Sequence, residues 1–86
     1  MRIKWTERFL RAYRMLGAED ARRVEKALRL LADNPRQPGL RVKKMQGREG
    51  VWEARASNSL RLTFELRDDV ILLRNVGAHD DTLKNP

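Results

Sequence analysis

At 86 residues the chain has room for one domain, 1–86, and not for two. A body this small buries only roughly 60–65% of its unfolded surface, so its elements must be short and densely patterned. With 41% hydrophobic and 36% charged residues, disorder is excluded as the main state, and with no cysteine neither a disulfide framework nor a thiolate metal site is available. The longest uninterrupted apolar run is Val70–Leu73, far short of the about 20 residues a membrane-spanning helix needs. The start, Met1-Arg2-Ile3-Lys4-Trp5, has no signal-peptide core, so a soluble cytoplasmic protein with no membrane partner is expected. Nineteen basic against twelve acidic residues give a net charge of +7, which favours a polyanionic partner such as nucleic acid, a ribosomal surface or an acidic peptide.

Met1–Trp5 alternates apolar and polar residues and reads as a short strand. Thr6 is placed to cap a helix, with Glu7 at its positive end, and Phe9, Ala12, Tyr13 and Leu16 form the apolar stripe up to Gly17, the expected stop. A second helix is predicted from about Glu19 to Asp33, burying Ala21, Val24, Ala27, Leu28 and Leu31. Arg22, Arg23, Glu25, Lys26 and Arg29 face water, and Glu25 and Arg29 stand in the favourable order for an i,i+4 pair. Asn34-Pro35 ends this helix, and the short connection predicts an antiparallel helix hairpin.

Beyond Gly39 the period becomes two. Strands are predicted at about Leu40–Gln46, Val51–Ser57, Leu60–Leu66 and Val70–Val76, joined by turns short enough to require antiparallel pairing. The fold class is therefore α+β: an N-terminal strand, a helix hairpin, then a mainly antiparallel sheet with the hairpin on one face. Trp52, Ala54, Ala56, Leu60, Leu62, Phe64 and Leu66 are expected to face the helices, and Trp5 and Trp52 to be core anchors. Glu53, Arg55, Arg61, Thr63 and Glu65 then share the opposite, open face, bordered by Arg41 and Lys43. The segment from Arg36 to Arg48 is basic throughout, carrying Arg36, Arg41, Lys43, Lys44 and Arg48 and no acid, and Arg74 lies inside the most apolar strand. No metal-ligand spacing, phosphate-cradling glycine loop or Ser/His/Asp set is present, so no metal and no other cofactor is expected.

The order of elements and six short motifs resemble the RelE/ParE toxin superfamily. The residues that carry the resemblance are Trp5-Thr6-Glu7-Arg8-Phe9, Leu31-Ala32-Asp33-Asn34-Pro35 and Leu40-Arg41-Val42-Lys43-Lys44-Met45-Gln46-Gly47. Val51-Trp52-Glu53-Ala54-Arg55, Leu60-Arg61-Leu62-Thr63-Phe64 and Asn75-Val76-Gly77-Ala78-His79-Asp80 complete it, and the His-Asp ending is closest to the YafQ-type branch. The resemblance implies a toxin of a type II toxin–antitoxin system that cleaves mRNA on the ribosome and so inhibits translation. It also implies a cognate antitoxin as partner and a toxin–antitoxin complex on operator DNA. Carried over by position, Arg55, Arg61 and His79 are the catalytic candidates, with Arg41, Lys43, Lys44 and Arg74 toward the phosphates and Glu53 a candidate base. Leu83 stands where many members carry an aromatic residue that stacks on the substrate base. A gyrase inhibitor of the ParE type, or a non-cleaving co-repressor of the same fold, are the alternatives.

Overall fold

The computed structural model describes residues 1–86. Strand β1 (Arg2–Trp5) leads into helix α1 (Glu7–Arg14), because Thr6 leaves helical geometry and its hydroxyl accepts from the Phe9 amide at 3.1 Å. The same hydroxyl donates to the Leu73 carbonyl at 2.8 Å, fixing the start of α1 to the sheet. Helix α1 stops at Met15, so Gly17 is not its end but the extended residue that opens helix α2 (Ala18–Asp33). Asn34, at φ −156°, ends α2 before Pro35 as the sequence requires.

Strands β2 (Lys43–Lys44), β3 (Trp52–Arg55), β4 (Leu60–Arg67) and β5 (Val70–Ala78) follow, and a short helix α3 (His79–Lys84) closes the chain. The five strands form one sheet in the order β1-β5-β4-β3-β2, antiparallel except that β1 runs parallel to β5. The strand expected at Leu40–Gln46 shrinks to two residues. Pro38–Leu40 forms a 3₁₀ turn that buries Leu40, and Arg41 takes the left-handed conformation at φ 48°, which an extended strand cannot accommodate. Strand β3 stops at Arg55 because the amides of Ala56 and Ser57 both turn toward the Leu60 carbonyl.

One face of the sheet is the apolar one that the alternation describes. Phe9, Val24, Ala27, Leu28 and Leu31 of the two helices pack on Ala54, Leu60, Leu62, Phe64, Ile71, Leu73 and Val76. Each large side chain enclosed there contributes about 1.5–3 kcal/mol. Trp5 is not the enclosed anchor expected of it: it is 38% exposed and meets Phe9 and Tyr13 edge-on, with ring centroids 5.0 and 5.1 Å away. Nor does Glu25 pair with Arg29. Its carboxylate lies by Tyr13, whose phenol is held above its ordinary pKa by partial burial first and by that negative charge second.

The opposite face is less open than alternation suggests. A Cβ on Gly77 would sit 3.1 Å from the Thr82 hydroxyl, and Gly77 alternates with Val76 of the helix-covered core. Helix α3 therefore lies across the side of β4 and β5 that α1 and α2 do not cover, and a side chain at Gly77 would press on its Thr82 hydroxyl. Thr63 and Thr82 are enclosed on that side, and Glu53 is nearly so. No helix is long and apolar enough to cross a membrane.

Candidate functional site

The antiparallel register decides which charged residues meet. Arg55, the last residue of β3, lies directly opposite Arg61 of β4, and Arg61 lies opposite Gly77 of β5. One step on, Leu60 pairs with Ala78, and the His79 amide donates to the Ser59 carbonyl at 2.8 Å. Arg55, Arg61 and the first residue of α3 thus gather at the β3–β4 turn, one corner of the sheet.

The two guanidinium groups at this corner touch only neutral acceptors. Arg61 folds back on its own turn and donates through Nη1 to the carbonyls of Ser57 at 2.7 Å, Leu60 at 3.0 Å and Asn58 at 3.3 Å. Arg55 donates to the Asn58 side-chain amide oxygen. Neither has a carboxylate within ion-pair distance, so both keep their charge for a ligand. The turn carbonyls do for Arg61 what a carboxylate does elsewhere, orienting the side chain without cancelling it.

His79 is half exposed, with Nδ1 2.9 Å from the Asp80 carboxylate. The hydrogen bond and charge of His79 hold the Asp80 carboxyl below its ordinary range. With Nδ1 engaged by Asp80, Nε2 is the ring nitrogen left without a partner in the protein. Glu53 is 8% exposed and shared between neighbours: it lies opposite Thr63 on β4 and 3.9 Å from the Lys43 ammonium on β2. Lys44 lies over the Trp52 ring at 5.3 Å, and Arg41 projects from its left-handed position beside the 3₁₀ turn.

Arg74 is not brought to this corner. It is the extra residue of a bulge opposite Thr63 and Phe64, where it is bound to Glu65 and donates from Nε to the Pro86 carbonyl at 3.1 Å. Two features of the site were not anticipated from the sequence. One is α3 itself, signalled only by acids in its first turn (Asp80, Asp81) and Lys84 in its last. The other is Arg48, whose guanidinium reaches from the β2–β3 turn to the Lys84 carbonyl at 3.3 Å. No grouping of His, Asp and Glu side chains has the closeness a metal ion requires.

No family model matches the sequence, and no curated protein matches it by sequence. Solved structures do match by shape. The crystal structure of YafQ from E. coli strain BL21(DE3) superposes with a TM-score of 0.79 at 17% identity, over 94% of this chain and 97% of that one. The toxin of the intact E. coli RelBE toxin–antitoxin complex gives 0.72 at 23% identity, over 92% and 96%. The fold is RelE-like. The archaeal RelE–RelB complex from Pyrococcus horikoshii OT3 extends the RelE-like set, with a TM-score of 0.75 at 20% identity over 92% of this chain and 94% of that one. These matches span nearly the whole chain. They also bear out the α+β architecture expected from the sequence.

Proposed function

We propose that this chain is the toxin of a type II toxin–antitoxin pair, a cytoplasmic endoribonuclease that cleaves mRNA at the ribosome and needs no metal. The observation that carries this reading is the corner itself: two un-neutralised arginines directly paired across β3 and β4, beside a His79–Asp80 pair, in a RelE-like fold. In the proposed reaction the RNA 2′-hydroxyl attacks the adjacent phosphorus. Its proton passes to a base, the 5′-oxygen of the next nucleotide leaves with a proton from an acid, and a 2′,3′-cyclic phosphate remains. Arg55 and Arg61 neutralise the charge that grows on the phosphoryl oxygens, and Nε2 of His79 exchanges the proton. Lys43, Lys44 and Arg41 lie on the neighbouring basic segment and suit backbone phosphates farther along the strand. Arg74 serves this reading as a brace for Glu65 and the C-terminal residues rather than as a phosphate ligand, and Glu53 as the tether of Lys43 rather than as the base.

The partner in this reading is an antitoxin with an acidic segment, matching the +7 charge. The RelE and YafQ structures include complexes with RelB and DinJ. A co-repressing complex on operator DNA is the corresponding regulatory form. Leu83, half-buried in α3 and with no aromatic residue beside it in that helix, favours one second reading: a member that binds its partners and does not cleave.

Expression without a partner is the test. Methionine incorporation should fall before thymidine incorporation, and ribosome-bound mRNA should acquire breaks ending in cyclic phosphate. Early loss of DNA synthesis would replace this reading with gyrase inhibition. Unbroken mRNA together with tight antitoxin binding would leave the non-cleaving co-repressor.

A further inference from the structure

A single strand whose phosphate sits at Arg55 and Arg61 must leave the corner in some direction, and the two directions differ in charge. Toward α3 it meets Asp80 and Asp81, both exposed in the helix's first turn, which repel a phosphate. On the other side, β2 has already ended, so Ala54 and Arg55 have no strand beyond them. The gap is a groove of about 350 Å³ between the end of β3, the Pro38–Leu40 turn and α2. That volume lies within the range of ligand clefts. Its lining includes Arg55, the apolar Leu30, Leu40 and Ala56, and the cationic Arg23 and Lys26 of α2. The two cations are not equivalent. Arg23 is bound to Asp20 at 2.9 Å and Glu19 at 3.8 Å, whereas Lys26 is exposed and has no carboxylate within ion-pair distance. Lys26 and Arg23 also line a shallow dip with Arg22 and Glu19, in which Arg22 and Lys26 stand at i,i+4 spacing along α2.

We propose that this groove is a nucleotide subsite flanking the scissile phosphate. The adjoining phosphate lies on Lys26, and its ribose and base lie over Leu30, Leu40 and Ala56. This inference rests on the ribonuclease reading and adds to it a direction for the RNA and a binding residue far from the three catalytic candidates in sequence. It also offers a compensation for Leu83: an apolar lining holds a base by contact where no aromatic ring is present in α3.

The test is binding of RNA oligomers carrying deoxyribose at the cleaved position, followed by fluorescence anisotropy. A dinucleotide spans only the scissile phosphate, and a hexanucleotide reaches the groove. For Lys26→Glu the expected result is about tenfold weaker hexanucleotide binding with dinucleotide binding unchanged, and Lys26→Arg should restore the affinity. Lys26→Ala should also reduce the salt dependence of hexanucleotide binding by about 0.7 in the log–log slope, the share of one phosphate on a single strand. Arg14→Glu, an equal charge change on the exposed end of α1 and away from the groove, controls for net charge and should have little effect. If Lys26→Glu and Arg14→Glu behaved alike, or if Lys26→Glu weakened both oligomers equally, the subsite would be wrong while the ribonuclease reading stood. A groove that bound poly-glutamate but no RNA would overturn it in favour of an acidic protein partner. Failure of the wild type to bind or cleave any RNA, on or off the ribosome, would remove both readings together.

Discussion

The two ends of the sheet carry the same residue types and put them to different uses. At the β4–β5 turn, Arg67 is bound to Glu65 at 2.7 Å, Arg74 to the other oxygen of Glu65, and Arg2 lies 3.8 Å from Asp69. At the β3–β4 turn, Arg55 and Arg61 rest on an amide oxygen and backbone carbonyls. The first end also has the larger hollow, about 520 Å³ lined by Arg2, Lys4, Arg67 and Leu72 among others, yet most of its positive charge is already matched. Cavity size and arginine count would both select the first end, whereas the proposed site lies at the second. What distinguishes them is whether each cation has a carboxylate, since an unmatched guanidinium keeps its full charge for negative charge that appears during a reaction.

The largest effects should follow from substitutions at the unmatched end. His79→Ala is expected to slow mRNA cleavage by about 10²–10⁴-fold, the range for losing a positioned proton donor or acceptor. Arg55→Ala and Arg61→Ala should each cost on the order of 10²-fold with the melting temperature unchanged. At the matched end, Arg67→Ala should leave cleavage within about threefold of wild type, since an exposed ion pair there contributes at most about 1 kcal/mol. Single-turnover cleavage of ribosome-bound mRNA measures all four variants. Equal losses at the two ends would dissolve the contrast and with it the site.

Much of this contrast was legible in the sequence, because strand alternation is a strict period. Leu60, Leu62 and Phe64 had to share one face, which left Arg55 and Arg61 together on the other. Their direct pairing was not legible, since a two-residue Asn58-Ser59 turn would set Arg55 opposite Leu62, whereas the loop includes Ser57 and shifts the register by one. The unmatched state of those arginines was not legible, since it depends on where backbone carbonyls of the turn point. Helix α3 was missed for a related reason: it has six residues and one fully buried side chain, Thr82, so no apolar stripe announces it. It packs on β4 and β5, on the side of the sheet where Thr63 is enclosed. Trp5 erred the other way. Edge strand β1 has a neighbour on one side only, and alternation alone does not reveal that limit.

A smaller effect probes the matched end directly. The hydrogen bonds of Arg67 and then Arg74, opposed by burial and aided by both charges, hold the Glu65 carboxyl below its ordinary value. A carboxyl depressed in the folded state adds stability that is fully present above its unfolded pKa and is lost as pH falls through the folded value. Glu65→Gln should therefore destabilise the protein by about 1–2 kcal/mol at neutral pH. That deficit should shrink in acid, once wild-type Glu65 is itself protonated. Urea unfolding of both proteins at neutral pH and below the folded pKa gives the comparison. A deficit independent of pH would mean that packing, not charge matching, holds this end together.

The smallest expected effect lies between the two ends, at Thr63. Its side chain is enclosed beside the bulge, opposite Glu53 on one strand and Asn75 on the other, and its hydroxyl has no hydrogen-bond partner in the protein. A buried hydroxyl without a partner loses its hydration and gains nothing in exchange, so an isosteric apolar side chain should be tolerated or preferred. Thr63→Val keeps the β-branched shape that suits a strand and replaces the hydroxyl with a methyl group. The expected result is a gain of about 0.5 kcal/mol, read as a melting temperature about 2–4 °C higher. Cleavage should be unchanged, because Thr63 is one strand pair removed from the Arg61–Gly77 pair on its own face. A loss of stability in Thr63→Val would show that the hydroxyl is satisfied after all, with the Glu53 carboxylate opposite it the natural acceptor. The matched network would then extend across the middle of the sheet to Glu53 and Lys43, and the unmatched end would reduce to Arg55, Arg61 and the cations of the α2 groove.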